Sequence, residues 1–401
     1  MSAYCHICQP SPVPVWGMTS SERIGRLLGT GVRTCTADEL PLLGDGHTVL
    51  LFRGDFLFDD RLVQHLAAAP GTLLELDTPP PTAVAAHVPA RLAMEALALV
   101  GGAASGGALP GVEHYTPRTI PLAFVKKLRK SEPPFVLTIT PERRQELERR
   151  LFDWSYKGVT DLVTKWAWPA PARRVVALAI RWRLTPNQVT LAGLVLVVIA
   201  GACFTTGRYG LGLAAGWLMT FLDTVDGKLA RVTLTSSRFG HYFDHLIDLV
   251  HPPLWYLLWG LGLSAAQVGG LGMSLATCFW LIFAGYVAGR LIEGSFQLLL
   301  GRFSIFCWQP VDSWFRLIIA RRNPCLILLT ASLLVGRPEL GLLAVTFWTV
   351  VSTLFLLARL AAAGLERLRR GELLTSWLAE AEDPPYAGTL AARIFAGRPG
   401  H

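Results

Sequence analysis

Charged residues are scarce. They make up 16% of the 401 residues, against roughly 25% in a soluble domain, while 52% of the chain is hydrophobic and the mean hydropathy is +0.41. That balance excludes a disordered chain or a protein that coats nucleic acid. A disulfide framework is also missing: Cys5, Cys8, Cys35, Cys203, Cys278, Cys307 and Cys325 are odd in number, and several lie inside apolar runs, which suits a reducing cytosol. Cys5, His6, Cys8 and Cys35 are zinc-ligand types, but the second Cys-x-x-Cys pair of a zinc site is absent. The first twenty residues have no basic start followed by an apolar core, and they contain Pro10, Pro12 and Pro14, so no cleaved signal peptide is expected. No repeat of fixed period is present, and Gly29 and Gly31 form no phosphate loop.

What the chain does have is long apolar stretches, concentrated after about residue 188. Six spans are expected, at about 189–206, 209–229, 242–262, 271–297, 324–336 and 339–361, the fifth being short. The first, third and fifth connections carry little charge: Arg208, none, and Arg337 with Glu339. The other side collects Lys228, Arg231, Arg238, Arg302, Arg316, Arg321, Arg322 and the arginines from Arg367 to Arg370. The positive-inside rule therefore puts both termini in the cytoplasm, with the chain multi-pass in the plasma (inner) membrane. Arg173, Arg174, Arg181 and Arg183 punctuate an apolar stretch at 175–182, which suits a helix lying at headgroup level. Membrane orientation thus accounts for most of the net charge of +8, and no nucleic-acid partner is expected.

Ahead of the spans, short apolar runs mix with proline and glycine clusters, the pattern of a small cytosolic α/β domain. Its best strand is Thr48 to Phe52, ending in Arg53-Gly54-Asp55, where an acid stands either at a ligand-binding strand edge or in a plain turn. Ser20-Ser21-Glu22 can cap a helix to about Leu28, and Thr140 and Pro141 begin another that runs to about Trp154. The expected division is 1–150 for the α/β domain, 151–188 for a junction and interfacial amphipathic helix, 189–365 for the spans, and 366–401 for a mobile cytosolic tail. The fold class is mainly α: a six-helix transmembrane bundle with an amphipathic interfacial helix, preceded by a small cytosolic α/β domain.

Four acids stand inside the second and third spans. Asp223, Asp226, Asp244 and Asp248 would each cost about 2.5–3.5 kcal/mol at mid-bilayer, and together they rival the roughly 5–15 kcal/mol that stabilises a whole domain. Asp223 and Asp226 are three apart and Asp244 and Asp248 four apart, so each pair shares a helix face and the two pairs can confront each other. Hard oxygen donors in that number suit Mg2+ or Mn2+, and two ions about 3.5–4 Å apart would grip a diphosphate. Ion pairing with Lys228, Arg231 and Arg238 is the alternative. It leaves unexplained the bare face made by Gly227 and Ala230 and the second close approach at Gly240. Arg231, one turn beyond Gly227, can set a fixed positive charge on a phosphate.

The segment DTVDGKLARVTLTSSRFGHYFDHLID resembles the signature of the CDP-alcohol phosphotransferases, D-x2-D-G-x2-A-R-x8-G-x3-D-x3-D, with every fixed position filled: Asp223, Asp226, Gly227, Ala230, Arg231, Gly240, Asp244 and Asp248. The likeness extends over the six spans, the interfacial helix and the Thr185-Pro186-Asn187 segment. It implies that the aspartates hold two divalent cations on a CDP diphosphate, that Asp248 is the base for the acceptor hydroxyl, and that Asp223, Asp226, Gly227, Ala230, Arg231 and Gly240 bind the CDP group. It also implies a homodimer, a membrane lipid environment, release of CMP, and a place in phospholipid or inositol-phosphate biosynthesis. The nearer resemblance is to the di-myo-inositol-phosphate-phosphate synthase branch, whose junction Lys157-Gly158-Val159-Thr160-Asp161 is similar to; there a nucleotidyltransferase-like domain precedes the transferase. LLFRGDFLFDD looks like the strand carrying that domain's metal aspartate, so Asp55 could be a relic, and a shrunken, inactive domain is expected.

The acceptor, an alcohol or a polyol phosphate, is less legible. Arg290, Arg321 and Arg322 would surround the cavity mouth and could hold an anionic acceptor; equally, Arg290 can pair with Glu293 and the others anchor the inner leaflet. His245 and His251 share a helix with the aspartates, but Pro252-Pro253 offers a structural reason for His251. Trp255, Trp259, Trp280 and Trp308 are expected as interface anchors. Three functions compete: a transferase of substituted phosphate groups; a transporter, which would show discontinuous helices or repeated halves; and a bifunctional enzyme whose first domain makes its own CDP-alcohol from CTP.

Overall fold

A computed structural model describes residues 2–397 apart from 105, 106, 108, 121 and 237; the side chains at 238, 239, 241 and 244 also lie outside the described residues. The N-terminal part is an α/β unit. In chain order it contains β1 (Ala3–Cys8), α1 (Ser20–Leu28), β2 (Val32–Thr34), β3 (Thr48–Arg53), β4 (Phe56–Phe58), α2 (Asp60–Ala68), β5 (Thr72–Leu76), β6 (Thr82–Pro89), α3 (Ala93–Val100), β7 (Glu113–Tyr115), β8 (Phe124–Val125), β9 (Lys130–Ser131), β10 (Val136–Thr138) and α4 (Arg144–Trp154). A six-stranded sheet runs β2-β1-β3-β6-β5-β7. β1 lies parallel to β2 and β3 with Cys5 opposite Leu50, while β6 is antiparallel to both β3 and β5.

The apolar run in β3 follows from its central place. Val49 and Leu51 face the cluster built with α3, and Leu50 and Phe52 face the one built with α1 and α2, so both faces of the strand are covered. The helices fall where the capping signals put them, with two adjustments. Thr19 rather than Ser20 caps α1, in a reciprocal pair with Glu22. The helix expected from Thr140 begins at Arg144, since Pro141 is taken up in a preceding turn.

The remainder is helical: α5 (Pro169–Arg181), α6 (Pro186–Thr205), α7 (Tyr209–Val232), α8 (Arg238–Leu261), α9 (Ala265–Gly269), α10 (Leu275–Ser295, continued by a π-helical turn Phe296–Gly301), α11 (Pro310–Arg316), α12 (Arg322–Leu334), α13 (Pro338–Arg370) and α14 (Leu390–Phe395). Among the described residues, α6, α10 with its continuation, and α13 are long and apolar enough to cross a membrane, and α12 is a shorter apolar helix. Glycines let the helices meet: a side chain at Gly262 would strike the Phe204 carbonyl, so the turn after α8 closes directly on α6. Trp255 and Trp259 are not interface anchors. Both are buried between helices, where their indole N–H groups donate to the carbonyls of Val197 (3.0 Å) and Pro338 (2.9 Å), and Trp308 is buried as well. Only Trp280 of the four is exposed.

The tail also departs from expectation. Residues 371–397 pack back on the molecule instead of hanging free: Trp377, Leu378 and Phe395 are buried with Phe296, Phe306 and Trp308. Leu374 N–H donates to Leu300 O (2.9 Å) and Gly397 N–H to Ser131 O (2.7 Å), tying the tail to the helical part and to β9 at once. Enough apolar side chains are spaced along the tail to offset its ordering.

Candidate active site

α7 and α8 carry the acids. Asp223 lies on α7 and Asp248 on α8, and both reach Arg322 at the start of α12, whose guanidinium spans Asp223 Oδ2 (2.5 Å) and Asp248 Oδ1 (2.6 Å). Two carboxylates from different helices thus converge on one positive charge. Asp226 stands almost one turn further along α7, buried, and accepts a hydrogen bond from Thr190 Oγ1 of α6 at 2.5 Å. Asp244 belongs to α8, but its side chain lies outside the described residues. The carboxylates of Asp223, Asp226 and Asp248 are hard oxygen donors of the type that suits a divalent ion, although among the described residues no three such side chains gather closely enough to hold one.

The bare face predicted on α7 is used by its own neighbour: the Arg231 guanidinium folds over Gly227, where a Cβ would meet it at 3.1 Å. Ala230 and Gly240 are half-buried, on α7 and α8. At the α6 start, Thr185 and Gln188 form a reciprocal cap, with Thr185 N–H donating to Gln188 Oε1 at 2.8 Å, and Asn187 is exposed. Thr185 therefore has a structural role. Thr190, which holds Asp226, was not legible in the sequence; a threonine inside an apolar span is the only mark it leaves.

The junction lies across the mouth. Asp161 accepts from the Asn323 side-chain amide (2.9 Å) and from Thr164 N–H (3.0 Å). Burial pushes its carboxyl up, but Arg316, the Thr164 N–H and Asn323 outweigh this and hold it below the usual carboxylate range. Lys157 lines a cleft of about 510 Å3 that is also walled by Lys130, Tyr156, Lys165 and the tail. Withdrawal from bulk water, then the charges of Arg129, Arg231 and Arg316, push its ammonium down to about 8. Arg290 contacts Tyr286 Oη (3.2 Å), and Glu293 pairs with Arg321 and lies 3.9 Å from Arg290. The acceptor residues suggested by sequence thus divide: Arg322 sits on the aspartates, while Arg290 and Arg321 gather at Glu293. His251 Nδ1 lies 2.6 Å from Ile247 O and its ring packs on Trp255, a helical core role.

At the N-terminal candidate, Asp55 closes on its own neighbour. Arg53 Nε and Nη2 reach its two oxygens at 3.0 and 2.5 Å, and a Cβ at Gly54 would lie 2.7 Å from the Pro10 Cα. This is a tight turn between β3 and β4.

Residues 183–293, which contain α6 to most of α10, match the model of the CDP-alcohol phosphatidyltransferase family. The chain carries a CDP-alcohol phosphatidyltransferase domain. Among its relatives, a bifunctional IPC transferase and DIPP synthase of Rubrobacter xylanophilus is 29% identical over 217 residues, 53% of this chain and 45% of that one. The archaetidylinositol phosphate synthase of Pyrococcus horikoshii is 36% identical over 81 residues, 20% of this chain and 42% of the relative. The phosphatidylinositol phosphate synthase of Mycobacteroides abscessus is 31% identical over 99 residues, 23% and 45%. The matched part spans less than half of each of these relatives.

Proposed function

We propose that the chain is an integral membrane CDP-alcohol phosphotransferase, moving a phosphoalcohol group from a CDP-alcohol to an acceptor hydroxyl with release of CMP. The observation that carries this is the convergence of Asp223 and Asp248 on one cationic centre, beside Asp226, within the matched segment. In this reading α6, α7, α8, α10, α12 and α13 are the six spans, α5 lies at the inner headgroup level, both termini are cytoplasmic, and the protein is a homodimer. Asp223, Asp226, Asp244 and Asp248 would hold Mg2+ or Mn2+, which would neutralise the diphosphate and stabilise departing CMP. Gly227 gives room to the Arg231 guanidinium, which would set its charge on the nucleotide's phosphates, and Ala230 and Gly240 would keep the rest of the approach open. Asp248 takes the proton of the acceptor hydroxyl; that oxygen bonds to the phosphorus of the phosphoalcohol as the phosphorus–oxygen bond to CMP breaks, leaving a phosphodiester.

The acceptor reading favours an anion, a polyol phosphate above a neutral alcohol, because the cations Arg290, Arg316, Arg321 and Lys157 outnumber Glu293 and Asp161, the acids beside them. Asp226→Asn or Asp244→Asn should abolish divalent-dependent CMP release, whereas Asp55→Asn should leave transfer from supplied CDP-alcohol intact. Full activity in the first two variants would defeat the assignment. A second reading, a bifunctional enzyme, is favoured by the name of the Rubrobacter relative, but the engagement of Asp55 by Arg53 speaks against a working first domain; CTP turnover by the full chain decides it.

A further inference from the structure

The α/β unit lays one hairpin turn along the junction. β8 and β9 form a hairpin whose turn ends at Arg129, with Leu128 N–H donating to Val125 O (3.1 Å) and Arg129 N–H to Lys126 O (3.3 Å). The turn is fastened along the junction, since Gly158 N–H donates to Leu128 O (2.9 Å) and Val159 N–H to Arg129 O (3.1 Å). A Cβ at Gly158 would lie 2.6 Å from the Arg129 carbonyl and would also strike that of Phe395, so junction, hairpin and tail are in direct backbone contact.

Arg129 adopts φ +51°, left-handed for a residue with a side chain. That conformation is sterically unfavourable unless glycine supplies it, and residues held so persist where their surroundings over-determine them, often at functional sites. The guanidinium it carries has no carboxylate partner among the described residues. Arg316, which feels the charge of Asp161, is only partly satisfied: its Nε and Nη1 are buried without a hydrogen-bond partner, and its planar group lies over Phe306. Burial, and then the charges of Arg129 and Arg290, push Arg316 down to about 10 against the opposing pull of Asp161, while Lys157 is pushed down by burial and by Arg129 and Arg316 among others. A set of cations that outnumbers the acids beside it, Asp161 and Glu293, fits a doubly charged anion.

We propose that Arg129 is a substrate-binding residue of the transferase, contacting a phosphomonoester on the acceptor, so that the soluble domain completes the acceptor site. This rests on the transferase reading above and deepens it. The same chemistry could come from the donor's diphosphate, so the kinetic arms must separate the two. Arg129→Gly removes the side chain and suits the left-handed backbone, keeping the fold; Arg129→Lys restores a charge without the planar fork.

CMP release by the purified full chain would be measured against a phosphorylated polyol, the same polyol unphosphorylated, and the CDP-alcohol. Arg129→Gly is expected to raise KM for the phosphorylated acceptor about ten-fold or more, the loss of one charge-assisted hydrogen bond, with KM for the neutral acceptor and the donor unchanged and partial recovery in Arg129→Lys. An equal change for both acceptors, no change, or a change confined to the donor's KM overturns the proposal. Titration calorimetry with inorganic phosphate is independent of turnover. If the wild-type chain releases no CMP, the transferase reading fails, and phosphate affinity alone decides here: weakened binding in Arg129→Gly supports the site, and unaltered binding removes it.

Discussion

Arg322 is the residue on which the proposed metal site turns. Its guanidinium satisfies Asp223 and Asp248 together, so a divalent ion at that locus competes with it. Arg322→Gln would leave two carboxylates unpartnered, at a cost on the order of 2 kcal/mol, tempered by their partial exposure. The expected outcome is a lower melting temperature without divalent ions and a larger rise on adding Mg2+ than the wild-type protein shows. Equal rises in the two proteins would mean that arginine and metal do not share the site.

Lys157 gives a pH test with two opposite slopes. Its folded pKa of about 8 lies below the ordinary lysine value of 10.5, so the unfolded chain binds more protons between these values. Its contribution to stability therefore improves as pH rises from about 8 to 10.5. Binding of an anion needs the charged form and weakens above about pH 8. Phosphate titration from pH 7 to 9.5 should show that decline, and Lys157→Met should flatten it. A variant that keeps the wild-type slope would assign the titration to another group.

At the scale of elements, legibility followed locality. The strand at Thr48, the helix ending at Leu28 and three of the expected spans, at α6, α10 and α13, were readable because burial on two faces, a cap three residues from its partner, and a long apolar run are all written in neighbouring residues. Trp255 and Trp259 were misread because tryptophan suits both a headgroup and a buried site with one carbonyl to accept its N–H; only the packing of α8 against α6 and α13 distinguishes these. The tail was misread for a like reason. Trp377, Leu378 and Phe395 are too sparse to show a period, and what they pack on lies far away in the chain.

The whole molecule is tied together across its α/β and helical parts. Arg23 of α1 donates to Val232 O at the end of α7 (3.1 Å) while paired with Asp60 (2.7 Å), Arg26 donates to Thr233 O (2.8 Å), and Lys228 of α7 donates to Ser155 O (2.9 Å). The tail adds a further tie through Ser131 and the 300–308 segment. Truncation after Arg370 should expose Phe296, Phe306 and Trp308, lower the melting temperature and make the β8–β9 hairpin sensitive to limited proteolysis. Protection equal to that of the full chain would show that the tail contributes nothing to holding Arg129.

The sequence by itself determined the residues on which the proposed chemistry rests: the acids of α7 and α8, the small residues beside them and Arg231 are spaced by helical geometry, which acts over a few residues and needs no knowledge of the fold. Only the tertiary structure decided what meets those residues. Thr190 on Asp226 and Arg322 across two helices are contacts between segments tens of residues apart, fixed by how apolar faces pack and invisible to any local pattern.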